Sequence, residues 1–349
     1  MQNLSDIKKE LSEYDGEQLT FMEVCGTHTA AISENGIVNM LSPKIKLISG
    51  PGCPVCVTVA SYIDRLVELS KEPGTCVVTF ADMIRVRGSQ SNFMEAMADG
   101  GRVRMIYSPL DILGYARKEP DIQFVFAAVG FETTTPVYAI LMEEMIKAGI
   151  KNIRLLTALK TMPAVIERVC ETSSGISGFL APGHVAAVIG SEPFVPLAHK
   201  YGVPFVVAGF EGEELLAALC ALVRLHNRPE VVNMYPRVVT TEGNKNAYDK
   251  VHRFFQPCDA AWRGLGIIPE SGMILKDEFK EYDAGSRCLT EDFLYDKGCS
   301  CPDVITGRIS PTDCPLYGKV CTPDTPKGAC MVSQEGSCFN YFINKRGSL

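Results

Sequence analysis

The chain has 349 residues, of which 46% are hydrophobic and 21% charged, so it can fill a sizeable core and is neither disordered nor collagen-like. At about 150 residues per domain, this length predicts two or three domains. The net charge is -7, and no basic run of five or more residues occurs, which argues against a nucleic acid partner.

The amino terminus is charged and lacks the apolar core of a signal peptide. The longest uncharged stretch, residues 172–191, contains a proline and several glycines and does not resemble a membrane span. We therefore expect a cytoplasmic protein without a membrane partner.

Short apolar runs alternate with helical patterns between residues 20 and 227. The predicted strands are residues 20–24, 45–49, 76–80, 103–108, 124–129, 153–158, 176–181 and 204–208. The predicted helices are residues 60–70, 136–148, 163–172 and 213–225. This alternation predicts an α/β fold with mainly parallel sheets covered by helices on both faces.

We expect two similar lobes, at residues 20–120 and 121–228, followed by a Cys-rich region at 229–349. Prolines interrupt the pattern after residue 228, and the last 70 residues contain few continuous apolar runs. A bound cofactor would therefore have to stabilise this C-terminal region. A helix within residues 1–19 is expected to pack with it.

The tripeptide Gly-Phe-Glu occurs twice, in AAVGFET (127–133) and VVAGFEG (206–212), each time where a strand should pass into a helix. A duplicated α/β unit and a simple preference of such turns for glycine both explain this. Glu132 and Glu211 could bind a partner, a nucleotide or a cation, and Asp82, Arg85 and Arg87 could pair with them. Ordinary surface ion pairs are the default interpretation.

Fourteen cysteines in a long chain without a leader indicate metal or redox chemistry in a reducing compartment. Cys25 follows a predicted strand in FMEVCGTHT (21–29). A helix beginning there would stabilise its thiolate, and His28 could accept its proton. The alternative is a buried cysteine that packs as a small hydrophobic residue.

Cys53 and Cys56 form a Cys-x-x-Cys pair in GPGCPVCV (50–57), among glycines and prolines that clear space around them. A pair of this kind that leads into a helix is typical of redox-active thiols, whose exposed first member has a lowered pKa. A zinc site would need two further ligands at short spacing, and none follows before Cys76.

Six cysteines are concentrated near the carboxyl end, without histidines between them. They are Cys299, Cys301, Cys314, Cys321, Cys330 and Cys338. Four thiolates suit either zinc or an iron-sulfur cluster, and the remaining two suggest a thiol pair beside it. The alternative is a structural zinc site with two bystander cysteines.

His184 follows a Pro-Gly turn at the end of a predicted strand, where open α/β sheets bind ligands. A helix cap or a packed polar group is the plainer interpretation. No Walker A motif and no Gly-x-Gly-x-x-Gly follows any strand, so conventional nucleotide binding is not supported.

Together these motifs resemble the HypD family of hydrogenase formation and maturation proteins. The resemblance covers residues 22–338 in one order and includes MEVCGTHT (22–29), GPGCPVCV (50–57), GFETT (130–134), APGHV (181–185), VAGFE (207–211), WRGLG (262–266) and CPLYGKVCTP (314–323) with the Gly-Ala-Cys-Met and Gly-Ser-Cys that follow.

The resemblance implies an assembly scaffold with thiol redox activity, rather than a conventional turnover enzyme. It would build the Fe(CN)2CO group of nickel-iron hydrogenases together with small HypC-type and HypE-type partner proteins. Cys25 would ligate the incoming iron that carries cyanide and carbonyl, with His28 nearby. Cys53 and Cys56 would supply thiol redox chemistry and further metal contacts in the same cleft.

The family also implies one 4Fe-4S cluster in the C-terminal segment, in surroundings similar to ferredoxin:thioredoxin reductase. By that analogy the cluster ligands are Cys299, Cys314, Cys321 and Cys338, and the thiol pair is Cys301 with Cys330. The roles of Cys299 and Cys301 could be exchanged. Many relatives have a second histidine where this chain has Ala30, and His184 is a candidate substitute.

Two other functions compete with the scaffold. A ferredoxin-dependent thiol/disulfide oxidoreductase would use the cluster, Cys301 and Cys330 to reduce a protein substrate, with the front cysteines as a relay. A purely structural zinc protein would be colourless.

Overall fold

The computed structural model describes residues 3–288 and 298–346. Its strands are β1 Leu19–Glu23, β2 Ile45–Ser49, β3 Thr75–Thr79, β4 Val103–Met105, β5 Gln123–Gly130, β6 Ile153–Lys160, β7 Gly178–Pro182, β8 Phe205–Ala208, β9 Val231–Asn233, β10 Phe255–Trp262 and β11 Gly266–Leu275. Its α-helices are α1 Leu4–Ser12, α2 Gly26–Glu34, α3 Ala60–Lys71, α4 Phe93–Ala98, α5 Asp111–Lys118, α6 Thr135–Lys147, α7 Met162–Thr172, α8 Gly183–Ile189, α9 Val195–Tyr201, α10 Gly212–Arg224, α11 Lys245–Phe254, α12 Cys301–Ile305, α13 Ala329–Val332 and α14 Ser337–Arg346.

Two sheets organise the chain. The first has the order β2-β1-β7-β8-β9, and all its strands are parallel. The second has the order β10-β11-β6-β5-β3-β4, in which β3 to β6 are parallel and the β10–β11 hairpin is antiparallel. The predicted α/β class, with two mainly parallel sheets flanked by helices, is therefore confirmed. All eight predicted strands and all four predicted helices are present, with ends shifted by a few residues.

Both sheets take strands from both of the ranges 20–120 and 121–228. The first two strands pair into the sheet of β7 and β8, whereas β3 and β4 pair into the sheet of β5 and β6. The chain thus leaves the first sheet after β2, builds most of the second, and returns at β7. The division into domains at residues 120 and 228 stays a prediction, but the sheets do not follow it.

Three strands that the sequence did not predict, β9, β10 and β11, lie after residue 228. Two of them, β10 and β11, contain prolines, which argued against strands in the sequence. Pro257 is tolerated because β10 is an edge strand, and the backbone groups on its outer side have no neighbouring strand to hydrogen-bond. Pro269 lies in β11 where the pairing with β10 is irregular, next to Glu270 with a φ of +49°. The C-terminal region therefore contributes to both sheets before it becomes Cys-rich.

The N-terminal helix α1 packs against α10, and Glu10 forms an ion pair with Arg224. The buried residues Ile7 and Leu11 belong to the core of the first sheet. This position differs from the predicted packing against residues 229–349. Parts of the predicted ranges 1–19 and 229–349 lie outside the described residues.

One apolar core is shared by the two sheets. It contains Phe179 and Phe205 from the first sheet together with Val77 and Leu156 from the second. Four cysteines of the C-terminal segment also belong to it: Cys301, Cys321, Cys330 and Cys338. The Cys-rich segment is therefore packed into the same interior as the two sheets.

Asn152, directly before β6, tests the side-chain contacts at the amino ends of the strands of the second sheet. Its half-buried side-chain nitrogen lies 3.0–3.2 Å from the carbonyl oxygens of Ala116, Glu119 and Ile122. We expect Asn152→Ala to lower the free energy of unfolding by about 1–3 kcal/mol, because these carbonyls lose their donor. Urea unfolding measures the effect.

The matched control is Asn246→Ala, on an exposed turn of α11. It should change the free energy of unfolding by no more than about 0.5 kcal/mol. Equal stability of the two variants would contradict the structural role given to Asn152.

Candidate metal and thiol site

Cys25 and His184 lie where the strand order of the first sheet reverses. The chain goes from β1 to β2 on one side of the sheet and from β7 to β8 on the other, while β1 and β7 are neighbours. Cys25 is the N-cap residue of α2, just after β1, and His184 follows β7. Ligands of open α/β sheets bind outside the carboxyl ends of strands at such a point. The topology therefore brings together two site residues that are far apart in sequence.

A buried carboxyl group fixes the turn that carries Cys25. One oxygen of Glu23 accepts a hydrogen bond from the Cys25 backbone N–H at 2.9 Å, and the other accepts one from the Thr29 hydroxyl at 2.6 Å. Burial raises the pKa of Glu23 to about 7. The carboxyl thus joins the end of β1 to the first turns of α2.

The loop that carries the Cys-x-x-Cys pair lies directly against this turn. The Gly26 N–H donates to the Gly52 carbonyl at 3.0 Å. A Cβ atom on Gly52 would overlap the backbone nitrogen of Cys25. Only glycine permits so close an approach, and it places Cys53 one residue from the contact.

Cys53 and Cys56 form a disulfide with a Cα–Cα distance of 5.2 Å. The Cys56 N–H also lies 3.1 Å from the Cys53 sulfur, and both residues are buried. Helix α3 begins only at Ala60, so the pair lies in a turn before the helix. This differs from the predicted exposed first thiol at a helix start.

A small cavity of about 10 Å³, roughly the room that one water molecule needs, joins the disulfide to the C-terminal segment. The loop from Gly50 to Cys53, Cys56 and Thr29 line one side, and Ile305, Glu335 and Ser337 line the other. Helix α14 also packs on α2, where the Asn344 side chain donates to the Ser33 hydroxyl at 2.9 Å. The front cysteine motifs and the C-terminal segment therefore share one cavity.

The protonation states of Cys25 and His28 differ from those that the sequence predicted. Burial raises the pKa of the Cys25 thiol to about 12, although the backbone amides of His28 and Thr27 lower it. Burial also lowers the pKa of His28 to about 4. A neutral thiol and a neutral imidazole are therefore favoured, in place of a thiolate with a protonated neighbour.

His28 is held by the second Gly-Phe-Glu turn rather than by Cys25. Its Nε2 lies 3.0 Å from the Gly209 carbonyl, and its Nδ1 has no partner among the described residues. The Phe210 ring lies 4.8 Å from the His28 ring and stacks on exposed His184 at 3.9 Å. Phe210 therefore links the two histidines. The repeated Gly-Phe-Glu tripeptide was visible in the sequence, but nothing in the sequence indicated this role of the Phe210 ring.

The six C-terminal cysteines are gathered into one group. The Cys330 and Cys338 sulfurs are 3.1 Å apart, and the Cys301 thiol is hydrogen-bonded to those of Cys299 and Cys330. The Cys314 and Cys321 thiols lie close enough to interact electrostatically with that of Cys299 or with each other. The predicted pair of Cys301 and Cys330 is thus in contact and adjoins the other four.

The surroundings of this group fit an iron-sulfur cluster chemically. A Cβ on Gly328 would lie 2.8 Å from the Cys299 sulfur, so only glycine allows the backbone to approach the thiols this closely. The Lys327 N–H points at the Cys321 sulfur at 3.3 Å, and N–H bonds to sulfur tune such clusters. Within residues 3–288 and 298–346, no three His, Cys, Asp or Glu side chains converge as the ligands of a single metal ion.

Arg263, in the turn between β10 and β11, connects the disulfide loop to this group and was missed as a site residue. Its backbone N–H bonds the Val57 carbonyl at 2.9 Å, and its buried guanidinium donates twice to the Thr58 carbonyl, at 2.9 and 2.6 Å. The guanidinium charge also acts on the Cys301 thiol. The only sequence signal was the WRGLG motif that contains it.

In the described part of the chain, Arg85 and Arg87 have partners other than Glu132 and Glu211. Arg85 donates to the Asp324 carbonyl at 2.7 Å, and Arg87 forms an ion pair with Glu95 at 2.6 Å. Burial, together with the charge of Asp82, raises the pKa of Glu335. The ion pair of Arg87 with Glu95 agrees with the default interpretation of ordinary surface ion pairs.

The two glutamates themselves have different roles. Glu211 forms a capping box with Glu214 at the start of α10. Glu132 instead accepts a hydrogen bond from the Met162 N–H at 2.8 Å.

Fold and site together define a class: a two-sheet α/β protein that gathers cysteines for soft-metal and thiol chemistry. Comparison with known proteins specifies it further. The HypD family model, described as "Hydrogenase formation hypA family", matches residues 1–345. The hydrogenase maturation factor HypD of Azotobacter vinelandii is 41% identical over 341 residues, which cover 94% of this chain and 90% of that protein.

Two further relatives agree. HypD1 of Bradyrhizobium diazoefficiens, also named a hydrogenase maturation factor, is 39% identical and covers 93% of this chain and 89% of its own length. A putative hydrogenase expression/formation protein of Methanocaldococcus jannaschii is 36% identical, and the match covers 95% of this chain and 93% of that protein. The chain belongs to the HypD family of hydrogenase maturation factors, as the sequence motifs predicted.

No helix within the described parts of the chain combines the length and apolar character required to cross a membrane.

Gly52→Ala tests the contact on which the front of the site depends. The added methyl group would overlap the Cys25 backbone, so we expect a loss of about 1–3 kcal/mol in the free energy of unfolding. Urea unfolding measures this loss, and thiol labelling of the reduced protein should show Cys25 becoming more reactive.

The control for the glycine substitution is Gly114→Ala in α5, where an added Cβ would meet nothing within 4 Å. That variant should be more stable than the parent by up to about 1 kcal/mol. If Gly52→Ala is as stable as Gly114→Ala, the proposed close contact is absent.

Proposed function

We propose that this protein is the scaffold on which the Fe(CN)2CO group of nickel-iron hydrogenase is assembled. The observation that carries the proposal is the shared cavity, whose walls combine the Cys53–Cys56 disulfide with the segment that holds six thiols. Membership of a family of hydrogenase maturation factors supports the same function.

Cys25 is the proposed ligand of the incoming iron. A soft thiolate suits an iron that carries cyanide and carbonyl. Because the buried thiol is neutral when free, iron binding must release its proton. Glu23 holds the backbone of Cys25 in place, and neutral His28 lies in the same helix without adding a charge. The iron and its diatomic ligands are the cargo of this site.

The resident cofactor is the proposed 4Fe-4S cluster. The residues that would hold it are Cys299, Cys314, Cys321 and Cys338, with Cys301 as the possible replacement for Cys299. All-thiol donors and the Lys327 N–H directed at the Cys321 sulfur fit this group. When bound, the cluster supplies single electrons. The chain itself contributes the Cys301–Cys330 contact and the Arg263 charge beside it.

The Cys53–Cys56 disulfide is the proposed two-electron store. Its reduction to two thiols takes two electrons and two protons. The turn that holds it is fixed by Arg263 on one side and by the Gly52 contact on the other. The reduced pair would face the cavity next to Cys25, where it could also contact iron.

Small HypC-type and HypE-type proteins are the proposed partners in this assembly, and the cytoplasm is the proposed location. The cavity beside the Cys53–Cys56 disulfide is small, which favours delivery of iron and its ligands by docked proteins over capture from bulk solvent.

A ferredoxin-dependent thiol/disulfide oxidoreductase is the second candidate function. The disulfide next to a group of buried thiols favours it. Steady reduction of a disulfide substrate by protein without bound cargo iron would support this candidate over the scaffold.

Cys25→Ala tests the iron site. We expect hydrogenase maturation to be abolished, because the cargo loses its thiolate, while the visible absorption of the cluster is unchanged. The infrared bands of metal-bound cyanide and carbonyl should disappear from anaerobically purified protein. Cys220→Ala, in a buried position on α10, is the matched control and should retain maturation. Full maturation by the Cys25 variant would defeat the assignment.

Single serine substitutions test the cluster. After anaerobic purification, Cys314→Ser and Cys321→Ser should lose iron and visible absorption, whereas Cys330→Ser should retain both. Comparing Cys299→Ser with Cys301→Ser identifies which of the two is a ligand. Cys170→Ser, on α7, is the control. A colourless parent protein that contains zinc would contradict the cluster.

A further inference from the structure

A second, larger cavity lies between helices that flank the two sheets, and none of the described residues that line it is a cysteine. Its volume is about 620 Å³, within the usual range of about 300–1,000 Å³ for small-molecule sites. Helices α8 and α9 beside the first sheet form one wall, and α7, α11 and β11 beside the second form the other. The cavity is thus built by both halves of the fold.

The walls are apolar but carry an excess of acidic groups. Ile189, Leu197, Val251 and Met273 line the cavity together with five prolines. Four glutamates and a single lysine are also among its lining residues. These charges therefore favour a positively charged occupant.

Two of the four glutamates already have partners. Glu167 pairs with Lys200 at 2.7 Å, and Glu242 pairs with Lys245 at 2.7 Å. Glu132 forms no ion pair within the described residues. One of its carboxyl oxygens accepts from the Met162 N–H, while Oε2 is buried and has no hydrogen-bond partner there. A buried carboxylate oxygen without a hydrogen-bond donor destabilises the folded protein, and a donor on a bound ligand would remove that destabilisation.

The position of Glu132 is also that of a ligand-binding residue. It follows β5 at the carboxyl end of the second sheet, close to where the order of that sheet reverses between β3 and β5. Glu132 is also one of the residues that line the cavity.

We propose that this cavity binds an organic cation, a primary ammonium group on an apolar stem, with its charge at the Glu132 carboxylate. The ammonium donates to Oε2, and the stem lies among the prolines and aliphatic side chains. The site is independent of the cysteine chemistry, so its failure would leave the proposed scaffold function untouched.

Calorimetric titration with n-alkylammonium ions from propyl to octyl tests the proposal, on the full chain in an amine-free buffer. The measurement is made at pH 8, because burial raises the pKa of Glu132 to about 7 and the carboxylate must be ionised. Each added methylene should improve the affinity about fourfold while it still enters the cavity. Hexanol should bind about tenfold more weakly than hexylammonium.

Two variants locate the binding. Glu132→Gln keeps the acceptor for the Met162 N–H but loses the charge, and it should weaken hexylammonium binding about tenfold or more. Ala247→Trp, on the half-buried wall contributed by α11, should block the alkylammonium ions and hexanol alike. Glu242→Gln is the matched control, since its carboxylate is exposed and paired, and it should change the affinity less than about twofold.

The length series also distinguishes two sources of the ammonium group. Affinity that rises through octylammonium identifies a free amphipathic amine, and affinity that stops rising at butylammonium identifies a lysine side chain of a partner. The absence of saturable binding, or equal binding by the parent and Glu132→Gln, would overturn the proposal. Circular dichroism of each variant establishes that it is folded.

Discussion

The site depends on a contact between two stretches of backbone, in which Gly52 lies against Cys25 with no side chain between them. That contact brings the loop of the Cys53–Cys56 disulfide to the carboxyl end of β1. Arg263 then holds the far end of the same loop through the Val57 and Thr58 carbonyls. The loop is therefore fixed at both ends by groups that are distant in sequence, and the cavity forms between it and the C-terminal segment.

Local patterns predicted the elements well, because apolar periodicity and strand-to-helix turns are short-range properties. They predicted β1 and β2 as strands but not that both belong to the same sheet as β7. Pairing between strands so far apart in sequence has no signal in the local pattern. Pro257 and Pro269 concealed two strands for a related reason. A proline excludes a central strand but is tolerated at an edge or an irregularity, and only the tertiary structure reveals which applies.

The chemistry of Cys25 shows where a local rule for a site fails. Free amides at the start of a helix do stabilise its thiolate, as the sequence suggested, yet burial is the larger effect and the thiol stays neutral. The position of the cysteine in its motif was therefore informative, but its protonation depended on what covers it. The C-terminal segment, through Glu335, is part of that cover.

The repeated Gly-Phe-Glu turn shows how one local structure serves two sites. In the first sheet, the Gly209 carbonyl and the Phe210 ring hold His28, while Glu211 only caps its helix. In the second sheet, Phe131 stacks on Trp262, whose neighbour Arg263 fixes the disulfide loop. There the glutamate, Glu132, borders the cavity between the sheets. Because the two turns lie in different sheets, the same three residues contribute different side chains to function, which a sequence repeat alone could not reveal.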